Sequence, residues 1–528
     1  MGGERARGGG ARHGGSRPGR LHRGVVAAGH QATADAAVEV LAAGGNAYDA
    51  AVAAGFAGAV AEPCMSSLGG GGFLLADPVD GPAVVFDFFV DTPGRGLAPG
   101  APPPRLTPAT LRFGAADQVF HVGHGSIAVP GCLPGYLHVH DRLGRLPLAE
   151  VIAPAQRLAA GGVCLGADQA AVVRLLEPIF SLTPEARALF VPVDRPFGDD
   201  DLVSNAPLAA FLDAIATGEV RGFSDPSLAR AIAAENQAAG GVLTAEDLAA
   251  YQVRERTPLT VRHRGATVLT NPVPSYGGSL ITRALELIAT RGAAGAPGSD
   301  RRLLQLARVL AEVTAHHLGA GADATEQGGV GEEAGGPPAV RPRTARGTTH
   351  ISIADAEGNL AAMTTSNGSG SGITLSDTGV LANNIMGETD LHPGGFHRAP
   401  PGVRVGSMMA PTVVRGEDRP AVALGSGGSE RIRSALTQVL VALLDDGSSL
   451  VDAVLAPRVH WDGALLQVEP GVDPVAVAAL AEVWPVNLWE VTDLYFGGVH
   501  AVATDGTRIG DPRRGGRTAA VVEPDVRP

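Results

Sequence analysis

Lysine is missing from all 528 residues, so the 41 basic residues are arginines throughout. With alanine, glycine and proline abundant as well, this bias reads as codon composition and lends arginine usage little functional weight. Cysteine is nearly missing: Cys64, Cys132 and Cys164 are too few and too scattered for a disulfide framework or a zinc ribbon, and buried free thiols are expected. No run is apolar for long enough to span a bilayer. Residues 1–23 are rich in Gly and Arg and lack the apolar core of a secretory signal or a membrane anchor, so a cytoplasmic protein with a disordered N-terminal arm is expected. An excess of positive charge is also missing, and a net charge of -13 argues against a generic nucleic-acid binder.

Two tempting motifs lack their completing residues. Gly69–Gly72 is followed by strand-like residues and by no Gly-Lys-Ser/Thr, so it reads as close backbone approach near a site instead of a phosphate loop. His121, His124, His138 and His140 come without an HExxH pattern, and the His138/His140 spacing splits that pair across a helix. They read as solvent or core histidines, and no metal is expected.

What is present is a globular composition, 45% hydrophobic, in a chain long enough for one large domain or two to four ordinary ones. No tandem repeat is visible. Val25–Ala28 reads as a strand, Gln31–Ala43 as a helix closed by Gly44-Gly45-Asn46, and Ala47 to about Ala61 as a second, alanine-rich helix. Ala83–Val90 reads as a strand, Val129–Gly135 as a turn and Tyr136–Leu143 as a helix. Residues 147–253 alternate amphipathic helices with turns, and Thr244 is set to cap a helix with Asp247 three residues on. Leu259–Leu269 reads as one strand, and Asn271–Gly278 as a rigid turn into a further helix. From Gly319 to Arg346 periodicity gives way to Gly, Ala, Pro and charge, the clearest linker in the chain.

That linker delivers the chain to Gly347-Thr348-Thr349-His350-Ile351-Ser352-Ile353-Ala354-Asp355. Alternation on a strand puts Thr348, His350 and Ser352 on one face and Thr349, Ile351 and Ile353 on the other. Asp355–Asn359 supplies a turn, and Leu360–Ser366 reads as the returning strand. Strands and Gly-rich turns follow, with Gly425–Ser429 leading into a helix over Glu430–Leu444 and a short strand closing the chain. A threonine-rich hairpin taken alone is ordinary strand composition.

Several segments, in order, change its meaning: Gly44–Ala47 with Asp49–Ala51, Gly69–Gly72, Val129–Gly131, Pro274–Gly278, Thr348-Thr349-His350 with Asp355 and Gly358-Asn359, Gly425–Ser429, and Asp511–Gly516. Together they resemble the γ-glutamyltransferase (γ-glutamyltranspeptidase, glutathione hydrolase) family of N-terminal nucleophile hydrolases, from about Val25 to the last strand. The resemblance implies an α+β fold, a four-layer αββα sandwich. It also implies one precursor that cuts itself between Gly347 and Thr348 into a large subunit (24–347, with the linker over 319–346) and a small catalytic subunit (348–528) that stay together.

The chemistry that follows from the resemblance needs no cofactor. A threonine hydroxyl is a poor nucleophile until a base takes its proton, and here that base is the freed α-amine of Thr348 itself, with an unperturbed pKa of roughly 7.7 to 8.0. Thr348 would attack a substrate amide, with backbone N–H groups near Gly427 and Gly428 holding the oxyanion. The acyl group would pass to water or an amine. A hydroxyl from Thr364-Thr365-Ser366 would support Thr348, with Thr364 and Ser366 the candidates. Asn367 matches a substrate-binding asparagine, Glu388 an acidic residue for the substrate's α-amino group, and Ser407 the second of a serine pair for its α-carboxylate. Three positions depart from the family pattern: Phe89 stands in place of an arginine that binds the α-carboxylate, Ile385 in place of Gln or Glu, and Gly406 in place of the first serine. Arg95 or Arg404 could take over a carboxylate. The default substrate is a γ-glutamyl compound such as glutathione. A different amide, or a noncatalytic scaffold that keeps the fold, are the alternatives.

Overall fold

Alternation along the first strand sets the layering of the molecule. In β1 (Gly24–Ala28), Val26 and Ala28 enter one hydrophobic core while Val25 and Ala27 enter a second. The computed structural model describes residues 24–113, 116–326, 347–392 and 394–521, so the N-terminal arm and the linker beyond Glu326 lie outside the described residues.

In chain order the elements that frame the site are α1 (Gln31–Ala42), α2 (Ala47–Ala61), β2 (Gly71–Asp77), β3 (Val84–Phe88), α3 (Cys132–Leu143) and α4 (Leu148–Gly161). Then come β4 (Arg254–Arg256), β5 (Leu259–His263), β6 (Ala266–Thr270), α5 (Tyr276–Arg291), α6 (Asp300–Glu326), β7 (Gly347–Asp355) and β8 (Leu360–Gly368). The last are β9 (Thr412–Gly416), β10 (Arg419–Gly427), α7 (Arg431–Leu444), β11 (Gly498–Ala503), β12 (Arg508–Ile509) and β13 (Arg517–Val521).

Seven strands form one antiparallel sheet in the order β13-β1-β7-β8-β2-β3-β4, and six form a second in the order β12-β11-β10-β9-β6-β5. The first core joins α1–α4 to the outer face of the first sheet, through Leu74, Ile351, Ile353 and Met363. The second fills the space between the sheets and reaches α5, α6 and α7 on the far side, through Phe73, Leu75, Val413, Leu424 and Leu436. The result is the expected αββα sandwich.

Local chemistry explains the entry to this frame. Asn46 accepts from the N–H groups of Tyr48 and Asp49 while Asp49 accepts from the Asn46 N–H, a reciprocal cap on α2. Every residue of α2 is buried, and its small side chains allow that: the ring of Tyr136 lies where a side chain at Gly55 would have to go. Thr244 and Asp247 form the same reciprocal cap farther on.

Three expectations need correction. The single strand over Leu259–Leu269 is a hairpin, because Arg264 and Gly265 both take positive φ (50° and 77°) and reverse the chain in two residues. Helix α3 begins at Cys132, because a proline in the first turn, here Pro134, breaks no helical hydrogen bond. Residues 319–326 of the expected linker belong to α6, where alanines extend the helix that starts at Asp300.

Candidate active site

Strand register decides what Thr348 meets. Even-numbered residues of β7 and β8 face the second sheet and odd-numbered ones face α2 (Ala354 and Ala362 lie in the inter-sheet core, Ile353 and Met363 in the helix-side core). Thr348 pairs with Ser366, Thr349 with Thr365 and His350 with Thr364. The predicted alternation of Thr348, His350 and Ser352 against Thr349, Ile351 and Ile353 therefore holds.

Thr348 Oγ1 donates to Ser366 Oγ at 3.2 Å, and Ser366 Oγ donates to the Gly347 carbonyl at 2.5 Å and accepts from the Gly368 N–H at 3.1 Å. One serine hydroxyl thus joins the nucleophile candidate to the carbonyl of the bond that would be cut. A β-bulge falls between Gly347 and Thr348. Gly347 is wedged so tightly that an added Cβ would collide with the Cys64 and Gly368 carbonyl oxygens. Only glycine fits there, and the same crowding holds the junction against Ser366.

Thr364 is placed farther along the ladder, opposite His350. Its hydroxyl bonds His350 Nδ1 at 2.8 Å, while His350 Nε2 meets Ser352 Oγ at 2.9 Å, so Thr364 belongs to a neighbouring polar row and Ser366 is the hydroxyl at Thr348. Burial, with His500 nearby, holds the His350 imidazole neutral, well below its usual range.

Gly427 ends β10 directly over Thr348, where a side chain would strike the Thr348 carbonyl, and Gly428 holds φ +118°. Arg514 reaches the same point: Nη1 donates to the Thr348 carbonyl at 3.3 Å and lies against Gly427, with Nη2 against Gly428. Burial, then Arg431, pushes its pKa down to about 9, which leaves it charged at neutral pH.

Asn367 donates through Nδ2 to the Pro63 carbonyl at 3.1 Å, and its Oδ1 is buried without a hydrogen-bond partner. Glu388 is buried with its carboxylate against Gly368, two residues beyond Ser366, so it joins the same cluster. Ser407 does not. Its Oγ accepts from the Met409 N–H at 3.1 Å in the turn beside Ser275, and no hydrogen bond among the described residues links it to Thr348.

Two of the three departures from the family pattern are packed away. Phe89 is 1% exposed and stacks on Phe73 at 5.7 Å, and Ile385, also 1% exposed, lies in the same inter-sheet core. Arg404 is not available to a substrate. It is buried between Asp87 and Asp91, donates to the Phe89 and Gln252 carbonyls, and lies over the Tyr251 ring. Arg95 donates its backbone N–H to Asp247 and packs its guanidinium on Gly402.

Two residues at the site carried no role in the sequence reading. Glu62, at the end of the alanine-rich α2, accepts from Thr33 Oγ1 at 2.7 Å and Thr349 Oγ1 at 2.6 Å, and burial raises its pKa despite both hydrogen bonds. A carboxylate closing an apolar helix was the signal that could have found it. Arg514 lay inside the quoted Asp511–Gly516 motif without an assignment. No group of three or more His, Cys, Asp or Glu able to hold a metal occurs among the described residues, and no described helix is long and apolar enough to cross a membrane.

Comparison with known proteins gives this geometry its context. A family model described as Gamma-glutamyltranspeptidase matches residues 33–327 and 305–521. Acylase ACY 1 proenzyme of Pseudomonas sp. (strain SE83) is 32% identical over 94% of this chain and 92% of its own length. Glutathione hydrolase proenzyme of Escherichia coli (strain K12) is 29% identical over 87% of this chain and 84% of its own. The crystal structure of cephalosporin acylase from Bacillus halodurans superposes with a TM-score of 0.77 at 23% identity, covering 97% of this chain and 98% of that one, a likeness of fold.

Proposed function

Because the chain belongs to the gamma-glutamyltranspeptidase family of self-processing hydrolases and transferases, we propose that Thr348 is the nucleophile released by cleavage after Gly347, and that the substrate is an acyl amide held without an α-carboxylate clamp at residue 89. The observation that carries this reading is the run Thr348 Oγ1, Ser366 Oγ, Gly347 carbonyl. In processing, Thr348 Oγ1 attacks the Gly347 carbonyl carbon while Ser366 polarises its oxygen. The C–N bond breaks, the amide nitrogen becomes the α-amine of Thr348, and water hydrolyses the ester to leave a Gly347 carboxylate. In turnover the free amine takes the Thr348 hydroxyl proton, and Thr348 Oγ1 attacks the substrate amide. Backbone N–H groups at Gly427 and Gly428 take the oxyanion, with the Arg514 charge beside them. The amine product leaves, and water or an acceptor amine takes the acyl group.

Substrate choice rests on Phe89, Ile385, Arg404 and Ser407. Two are core residues, one is spent in a buried ion network and one is turned into its own loop, so none offers a carboxylate a partner. An acylase activity fits this, in keeping with the name of the Pseudomonas relatives. A γ-glutamyl substrate of the glutathione type is favoured by one observation, the Glu388 carboxylate beside Gly368, where it could take an α-ammonium.

Denaturing electrophoresis of the purified protein beside Thr348→Ala tests the nucleophile: two fragments from the parent and one full-length band from the variant are expected, and one band from both would sink the assignment. Matched butyryl and γ-glutamyl anilides, which differ in the α-carboxylate and α-amine, then test the substrate. Faster release from the butyryl compound is expected, and the reverse order returns the γ-glutamyl reading.

A further inference from the structure

Between the segment that follows Phe89 and the segment that follows Glu388 lies a groove of about 490 Å³, within the roughly 300 to 1,000 Å³ typical of ligand sites. Thr92, Leu97, Pro103, Phe396, Pro401 and Arg398 are among its lining residues. The two segments are tied together below it, where the Thr92 N–H donates to the Val403 carbonyl at 2.8 Å and the Gly402 N–H to the Thr92 carbonyl at 2.8 Å.

Three features of this groove point to a ligand. Its walls are mostly proline and other apolar side chains, which present a rigid surface and lose little entropy when covered. Thr92 is 2% exposed and its Oγ1 is buried without a hydrogen-bond partner, a donor that a ligand oxygen would satisfy. Arg398 is exposed and makes no ion pair among the described residues, so one positive charge stands at the edge of an apolar trough.

A chain of contacts links the groove to the Thr348 cluster. Phe396 packs its ring on His121 at 4.8 Å. The His121 carbonyl lies against Gly387 and accepts from Asn384 Nδ2 at 3.5 Å, and Asn384 and Glu388 both abut Gly368. The recognition that Phe89 and Ile385 do not offer is thus available one layer farther out, on the chain segments that leave those positions.

We propose that this groove is the subsite for the body of the amide substrate, and that it takes a rigid, ring-bearing apolar group with an anionic substituent, the ring against Leu97, Pro103 and Phe396, the anion at Arg398. The proposal rests on the amidase reading of Thr348. It assigns specificity to residues outside the catalytic cluster, so changing them should leave self-cleavage intact.

Naphthoate, an aromatic carboxylate, is the probe. Calorimetry with the processed enzyme is expected to show binding that Ala101→Trp, which fills the groove from its wall, abolishes. Arg398→Ala is expected to weaken naphthoate about tenfold and to leave uncharged naphthalenemethanol unaffected, and Thr92→Val to weaken naphthoate severalfold. All three variants should still cut themselves, which shows that they fold, and naphthoate should inhibit amide hydrolysis competitively. Unchanged binding to Ala101→Trp, no binding to the parent, or noncompetitive inhibition would each overturn the proposal. A processed enzyme that hydrolyses no amide fails the amidase reading alone, since calorimetry still reports on the groove.

Discussion

The end of strand β7 and the end of strand β3 lie in the same sheet, yet they are built from opposite materials. At Thr348 the strand starts among hydroxyls and a buried guanidinium, with a buried carboxyl behind it on Thr349, each held by hydrogen bonds of 2.5–3.3 Å. At Phe89 the chain leaves β3 into phenylalanine, isoleucine and an arginine already neutralised by two aspartates. Bond-making needs polar groups fixed in place, and a sheet supplies them because register locks every pair at once. The loops that leave the strands are under no such lock and can be repacked with apolar side chains without disturbing the ladder. The difference teaches that reaction type and substrate class are separate properties of this fold.

The sharpest way to break the comparison is Phe89→Arg. If the pocket at residue 89 is core, a buried arginine there lacks a partner and should cost on the order of 3 to 5 kcal/mol, read as a lower urea midpoint, with no gain of γ-glutamyl anilide hydrolysis. A stable variant with that new activity would show instead that residue 89 faces substrate.

Ser366→Ala addresses the polar end. Removing the hydroxyl that joins Thr348 to the Gly347 carbonyl should slow self-cleavage by roughly a hundredfold to a thousandfold, followed as fragment appearance with time. Thr364→Val, on the adjacent row, should leave that rate within about threefold, because its partner is His350.

The smallest effect is on stability against pH. Burial holds His500 at about 4, and His350 is lowered in the same direction. A histidine depressed in the folded state leaves the unfolded chain binding more protons, so stability is full above about pH 6.5 and falls as pH drops towards about 4, by up to roughly 3 kcal/mol for His500. Glu62, raised by burial, works in the opposite sense, favouring the folded state as acid protonates it. Urea midpoints at about pH 7 and about pH 5 should therefore separate less in His500→Gln than in the parent. Equal separation would remove His500 from the acid response.

Much of the frame was legible from local pattern. The hairpin over Gly347–Asp355 and Leu360–Ser366 followed from period-two alternation and the Asp355–Asn359 turn, and Ala47–Ala61 from its alanines. The two-residue turn at Arg264-Gly265 was missed because the apolar pattern runs on through it, and residues 319–326 were missed because their alanines and glycines carry no amphipathic signal.

By itself, then, the sequence determined the strand that carries Thr348, its polar face and the glycine before it, because these depend on neighbours along the chain. Only the tertiary structure decided that Ser366 and not Thr364 meets the Thr348 hydroxyl, that Arg514 reaches the Thr348 carbonyl and Glu62 the Thr349 hydroxyl, and that Arg404 is spent on Asp87 and Asp91. Those partners come from segments far apart in the chain, and pairing across the sheets, which no local pattern encodes, brings them within hydrogen-bonding distance.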